Sequence, residues 1–413
     1  MADTQLLTTQ PRLHYAWVVA LVGGIAVFCG LGLGRFAFGM MLPSMSASLE
    51  LSYGQGGMLG FGNMVGYLVA VTLVPLLLAR LGTRATATLG LIVMALSMFG
   101  MVVVIDFTAL CFFYFLTGFG SGAVVLPSMS VMSKWFAPSH RGLSSGIVMA
   151  GPGFGIILSG FAVPNLVPFH GIMSWQTGWL IFGAITAFVA LLAFAFIRNH
   201  PSDVGHAPYG RTAAGIGRDT AALTRQGKLK LLAHMGLIFG IYGATYMLYV
   251  TFIVTSMVDS YGMSEAKAGS LWSLFGFLSI FSGVLFGGMS DRIGRRAGMA
   301  VAFAALGLSF FLVGFGSWTI GLYISIVLFG LAAWSIPVII SAAAGDYFGS
   351  SAAATALAAL MVGFSVGQAA GPVVAGFLAE RSGDFASSYA TSSGAALVSL
   401  GLIFFLRPPR TAE

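Results

Sequence analysis

Gly287-Gly288-Met289-Ser290-Asp291-Arg292-Ile293-Gly294-Arg295-Arg296 holds the densest group of charges in the second half of the chain, and it sits between two long apolar runs. Moving back 212 residues gives Arg80-Leu81-Gly82-Thr83-Arg84 opposite Arg292-Ile293-Gly294-Arg295-Arg296, again between apolar runs. The same offset sets Leu51-Ser52-Tyr53-Gly54-Gln55-Gly56-Gly57 opposite Met263-Ser264-Glu265-Ala266-Lys267-Ala268-Gly269, and Pro127 nearly matches Pro337. The chain is therefore read as two copies of one plan. Of its 413 residues 58% are hydrophobic and 8% charged, whereas about a quarter are charged in soluble domains. This composition specifies a polytopic membrane protein.

Long apolar segments with short polar breaks imply helices, because a lipid-embedded backbone must satisfy its own N–H and C=O groups. The ten-residue alternation of a membrane barrel is absent. Twelve spans are expected, from 15–46 and 53–79 through 85–105 and 318–345 to 386–406. They form an all-α fold of two pseudo-symmetric six-helix bundles, residues 1–198 and 229–413, joined by a polar linker, 199–228. Such parallel repeats with a binding site near the midplane are a transporter architecture.

Orientation follows from the basic residues. With the N-terminus inside, sixteen of the nineteen Lys and Arg residues fall on the cytoplasmic side, leaving Lys267 and Arg381 outside and Arg35 in the membrane. That is the positive-inside pattern, and it puts both termini in the cytoplasm of a multi-pass inner or plasma membrane protein. The net charge of +7 is scattered over loops without interleaved aromatics, which argues against nucleic acid as a partner. Residues 1–14 show no cleavable apolar core. Cys29 and Cys111 fall at different depths, and neither has a metal-ligand neighbour in sequence, so neither a disulfide nor a metal site is expected. No cofactor is called for.

The decapeptide at 287–296 resembles the loop signature of the major facilitator superfamily, G-x-x-x-D-R-x-G-R-R. The first-half copy departs from it, with Pro75 for Gly and Ala79 for Asp. The resemblance covers the whole chain and implies the twelve-helix transporter fold, a monomer, and a conformational latch built from Gly287, Asp291, Arg292, Gly294, Arg295 and Arg296. Read physically, Gly287 admits a close helix, while Asp291 can pair with Arg295. His14-Tyr15-Ala16-Trp17-Val18-Val19 and the Gly34-Arg35-Phe36 triplet are similar to bacterial organic-anion carriers, the monocarboxylate and YbfB/YjiJ-like permeases among them. Unlike the monocarboxylate and oxalate carriers, this chain has no Arg or Lys in the central part of its eighth or eleventh helix.

Arg35 interrupts the apolar run Gly30–Pro43 about 16 Å inward from Ser46 by helical rise, near the middle of a core about 30 Å thick. A charge at that depth costs about 2.5–3.5 kcal/mol on insertion scales and normally marks a functional site. Asn63 lies at a matching depth, with Tyr67 one turn further on. In the seventh helix Tyr242, Tyr246 and Tyr249 share a face by i, i+4, i+7 spacing; they serve either to hold a carboxylate or to pack helices together. Gln368, Trp272 and Trp334 complete the candidates. The small-residue segments Gly151–Gly155 and Gly367–Gly376 read chiefly as close packing with a proline bend.

The chemistry expected is secondary active transport of a small organic anion, a monocarboxylate before others, since one guanidinium offers one charge and one bidentate fork. Either exchange or proton coupling is open, the latter through substrate, water or His234, because no Asp or Glu lies centrally in the membrane region. Proton-coupled efflux of drugs or metabolites is the alternative, served by the Met- and Phe-rich helices. No cluster for enzyme chemistry is present in the pattern.

Overall fold

The structure is a computed structural model that describes residues 14–168, 171–210, 225–316, 318–349 and 352–406. The N-terminal tail, the middle of the linker (211–224) and the basic C-terminus lie outside the described residues. Among the described residues eleven helices are long and apolar enough to span a membrane. One of them, Tyr53–Val103, contains two arms that part at Gly82, whose φ of +76° is non-helical. Counting both arms is consistent with twelve crossings.

We label these α1 (Tyr15–Leu49), α2 and α3 (53–81 and 83–103), α4 (Phe107–Trp135), α5 (Pro138–Ala162) and α6 (Ser174–Phe196) in the first half. The second half has α7 (Arg225–Asp259), α8 (Glu265–Ile293), α9 (Arg295–Gly314), α10 (Thr319–Phe348), α11 (Ala353–Ser382) and α12 (Ala386–Phe405).

The repeat seen in the sequence is built in atoms. Ser52 caps α2 by accepting from the Gln55 amide at 3.2 Å, and Ser264, 212 residues on, caps α8 by accepting from the Lys267 amide at 3.3 Å. Gly82 and Gly294 both take positive φ, +76° and +90°, which β-carbon sterics reserve largely for glycine. Arg84 donates from Nε to the Phe194 carbonyl at 2.6 Å near the end of α6, and Arg296 donates from Nε to the Ile403 carbonyl at 2.9 Å near the end of α12. Each guanidinium also lies over a ring of that last helix, Phe194 or Phe404. A cation placed on the carbonyls of a helix end meets the negative end of its dipole.

Two spans are irregular, and both irregularities lie near Arg35. Within α1 the stretch Phe28–Phe36 widens into a π-helix, closed where the Ala37 amide donates to the Gly32 carbonyl five residues back. Its glycines leave room for α5: a β-carbon at Gly32 would lie 2.7 Å from the Cα of Gly155. The other irregularity divides α10 into Thr319–Ala332 and Ser335–Phe348. Pro337 has no amide hydrogen to offer the Ala333 carbonyl four residues earlier. That carbonyl instead accepts from the Tyr242 hydroxyl, and the Trp334 amide donates to Ser282 Oγ at 2.9 Å. The backbone polarity released by the break is thereby satisfied inside the protein, as lipid requires. Pro127, by contrast, sits within continuous helix.

Contacts between the halves gather toward one end. A β-carbon at Gly57 would lie 2.4 Å from the Pro372 carbonyl oxygen, and one at Gly39 would lie 2.5 Å from that of Val250. Between α5 and α8, Trp272 Nε1 donates to Ser159 Oγ at 3.2 Å and Ser273 Oγ donates to the Ile157 carbonyl at 3.0 Å. Tyr53 donates to Asp259 at 3.0 Å, while the Glu380 carboxylate accepts from the Gly54 amide at 3.2 Å. The small-residue segments thus act in packing, with Gly155 against α1 and the Gly376 region against Tyr53 of α2.

Candidate functional site

Arg35 emerges from the widened turn of α1 and is only 5% exposed. Its Nε and Nη2 have no hydrogen-bond partner among the described residues. The guanidinium carbon lies 4.3 Å from the centroid of the Tyr67 ring on α2. A desolvated cation over an aromatic face gains about 2 kcal/mol, part of the burial cost. Tyr67, Tyr246 and Tyr114 lie close to it, so one residue from the second half joins two from the first.

The surrounding hydrogen bonds fix that geometry. Tyr114 on α4 donates from its hydroxyl to the Arg35 carbonyl at 3.4 Å, and its own carbonyl accepts from Asn63 Nδ2 at 3.1 Å. Asn63 and Tyr67, one turn apart on α2, therefore bind α4 and α1 respectively. Asn63 Oδ1 is buried without a partner among the described residues. Across the interface Phe36 meets Trp334 with ring centroids 5.6 Å apart, and Trp334 meets Tyr246 at 5.4 Å. The break in α10 is what turns Trp334 to this place.

The three tyrosines of α7 divide their tasks. Tyr242 spends its hydroxyl on the Ala333 carbonyl, and Tyr249 shares a 2.9 Å hydrogen bond with Ser325 while stacking on Phe329 at 3.8 Å. Tyr246 keeps a buried hydroxyl with no partner among the described residues. Gln368 is buried on α11, its backbone amide 3.1 Å from where a β-carbon of Gly243 on α7 would stand. His234 is bound through Nε2 to the Leu402 carbonyl of α12 at 2.8 Å. Tyr114, Phe36 and Ser282 were absent from the sequence candidates. A tyrosine inside Cys111-Phe112-Phe113-Tyr114-Phe115 and a serine among apolar neighbours carry no pattern that singles them out.

In the second-half loop Arg295 forms ion pairs with Asp291 and with Asp346 Oδ2 of α10, the latter at 2.7 Å, and donates to Ser290 Oγ at 2.8 Å. Gly287 packs on α10, where a β-carbon would meet Val338 at 3.1 Å. Arg292 is exposed, and Gly294 makes the turn into α9. All these partners belong to the second half. Asp346 is the member that sequence spacing did not pair with the loop, because it comes from another helix.

Two pseudo-symmetric helical halves with a buried arginine and aromatic residues where they meet define a polytopic membrane carrier. The model of a family described as uncharacterised MFS-type transporter YbfB matches residues 27–404, and the chain belongs to this family of the major facilitator superfamily. It is 23% identical over 91% of its length to the hexuronate transporter of Bacillus subtilis (strain 168), covering 91% of that protein. It is also 23% identical to a putative tartrate transporter of Agrobacterium vitis, covering 92% of this chain and 88% of that one. A crystal structure of a bacterial homologue of the human lysosomal transporter Spinster, inward-facing and unoccupied, superposes with a TM-score of 0.72. That match spans 96% of each chain at 14% identity.

Proposed function

We propose that the protein moves a small organic monoanion across the cytoplasmic membrane by exposing the surroundings of Arg35 to each side in turn. The buried guanidinium carries this reading, since its Nε and Nη2, without a hydrogen-bond partner among the described residues, form a fork suited to one carboxylate. Tyr246, from the opposite half, adds an unspent hydroxyl. Relatives named for hexuronate and tartrate support an anionic cargo. The positive-inside distribution assigns the closely packed ends of α2 and α11 to the outer face, so the structure is read as open to the cytoplasm. Residues 1–198 and 229–413 are the two rocking units of this proposal.

Exchange is the favoured mode. In the empty carrier Arg35 has Tyr67 but, among the described residues, no carboxylate beside it, and a bound anion offsets the remaining desolvation cost of reorienting. His234, tied to α12, is a poor proton carrier for a central cavity. The test is uptake of labelled lactate, pyruvate and benzoate into proteoliposomes with and without the same anion inside. Preloading is expected to accelerate uptake severalfold for a transported acid. Arg35→Gln is expected to reduce it by about tenfold or more, the loss of one charge-assisted pair. Equal rates in wild type and Arg35→Gln for every transported acid would refute the proposal.

A further inference from the structure

We infer that the preferred cargo is an aromatic monocarboxylate rather than a polyhydroxy acid, an inference that rests on the anion reading above and narrows it. Among the described residues the fully buried polar atoms without a partner include Arg35 Nε and Nη2, the Tyr246 hydroxyl and Asn63 Oδ1. A carboxylate uses the first three, since both guanidinium N–H groups and the phenol donate to its oxygens. Asn63 Oδ1, one turn along α2 from Tyr67, is a further acceptor.

A sugar acid or a hydroxylated diacid would bring several further hydroxyls into this place. Each one left unpaired on burial is penalised, and a site lacking their partners discriminates against them. Tyr114 has turned its hydroxyl proton to the Arg35 carbonyl, so it can offer a cargo only an acceptor. The walls are instead rings. Phe36 and Trp334 stand at 5.6 Å, Trp334 and Tyr246 at 5.4 Å, and Tyr67 covers the guanidinium. Ring pairs at such separations favour edge-to-face or offset contact with another aromatic body beyond simple burial. The named cargoes of the hexuronate and tartrate relatives are polyhydroxy acids, and 23% identity does not by itself carry that specificity to this chain.

The test is calorimetric titration of the purified full-length carrier with benzoate, cyclohexanecarboxylate, glucuronate and tartrate, which ranks wild-type affinities without any variant. Benzoate is expected to bind more tightly than cyclohexanecarboxylate, and at least about tenfold more tightly than glucuronate or tartrate, a margin of 1.4 kcal/mol. Trp334→Leu should lower benzoate affinity by a larger factor than acetate affinity, since acetate has no ring to pack against the indole. Glucuronate or tartrate binding as tightly as benzoate, with dependence on Arg35, would overturn the inference and leave the anion reading standing. Cyclohexanecarboxylate equalling benzoate would overturn its aromatic part. Binding of all four acids unaffected by Arg35→Gln would remove the anion reading itself.

Discussion

The guanidinium of Arg35 lies face-on to Tyr67, 4.3 Å from the ring centroid, and the two come from adjacent helices of the same half. The cation therefore has a partner that carries no charge of its own. That partner stays with Arg35 whichever way the halves are tilted, because both belong to one rigid unit of the proposed motion. Tyr67→Leu should lower the melting temperature of the purified protein, reflecting a loss of about 0.5–2 kcal/mol, whereas Tyr67→Phe keeps the ring face and should change little. Thermal unfolding of the two variants side by side checks this, and equal losses would show the ring face to be immaterial.

The break in α10 gives a second prediction. Tyr242→Phe removes the donor to the Ala333 carbonyl and should cost about 1–3 kcal/mol, the penalty for a buried polar group left alone. Pro337→Ala restores an amide hydrogen four residues after that carbonyl. In the double variant the Tyr242→Phe penalty should largely vanish, a non-additivity that a double-mutant cycle measures as a coupling of about 1 kcal/mol or more. Simple additivity would mean that the phenol and the proline do not share this carbonyl.

Gly57 tests the close packing between the halves. A methyl group there would stand 2.4 Å from the Pro372 carbonyl oxygen, closer than β-carbons approach an atom. Gly57→Ala should drive α2 and α11 apart and favour the state in which this end is open. Cysteine accessibility at Tyr53→Cys, measured with an impermeant maleimide, should rise severalfold in the alanine background.

A pH dependence follows from the head of α1. His14 caps this helix by accepting from the Ala16 amide at Nδ1, 3.2 Å, which requires the neutral ring. Its ring lies 4.7 Å from that of His206 and 5.2 Å from that of Tyr209. Burial first, and then repulsion from His206, holds its pKa below the ordinary histidine value, against an opposing hydrogen bond with the Ala207 backbone. The folded state thus binds a proton less readily than the unfolded chain, whose histidine titrates near 6.5. Stability contributed by this group is whole above about pH 6.5 and falls as the pH drops from there toward the folded pKa. Melting temperatures between pH 8 and pH 5 should decline in wild type, and His14→Asn, which retains a capping acceptor, should flatten the curve.

The helices were legible because lipid leaves so little choice: expected spans such as 107–134 and 265–289 match Phe107–Trp135 and Glu265–Ile293 closely. The joint at 80–84 read as a loop, yet only Gly82 leaves helical geometry there. Arg35 announced itself by cost, and Tyr67 and Asn63 by depth. Tyr114 did not, since its role depends on how α4 rotates against α1 and α2, which composition does not encode. The i, i+4, i+7 spacing puts three tyrosines on one face of α7, but Tyr242 and Tyr249 turn their hydroxyls to different partners, Ala333 and Ser325, and Tyr246 to none among the described residues. Spacing sets which residues share a face, whereas the break in α10 and the placement of Ser325 decide what each hydroxyl meets.

The two interhelical loops have a use beyond their own places. Gly82 and Gly294 turn alike, and Arg84 and Arg296 hold the last helix of their halves alike. Asp291 and Arg295 are paired in the second loop, while the positions 212 residues earlier hold Ala79 and Thr83. The molecule therefore contains its own matched control, one turn with the ion pair and one without, in the same bilayer and the same measurement. Whatever both turns do belongs to holding a bundle together, and whatever only the second does can be credited to the charges.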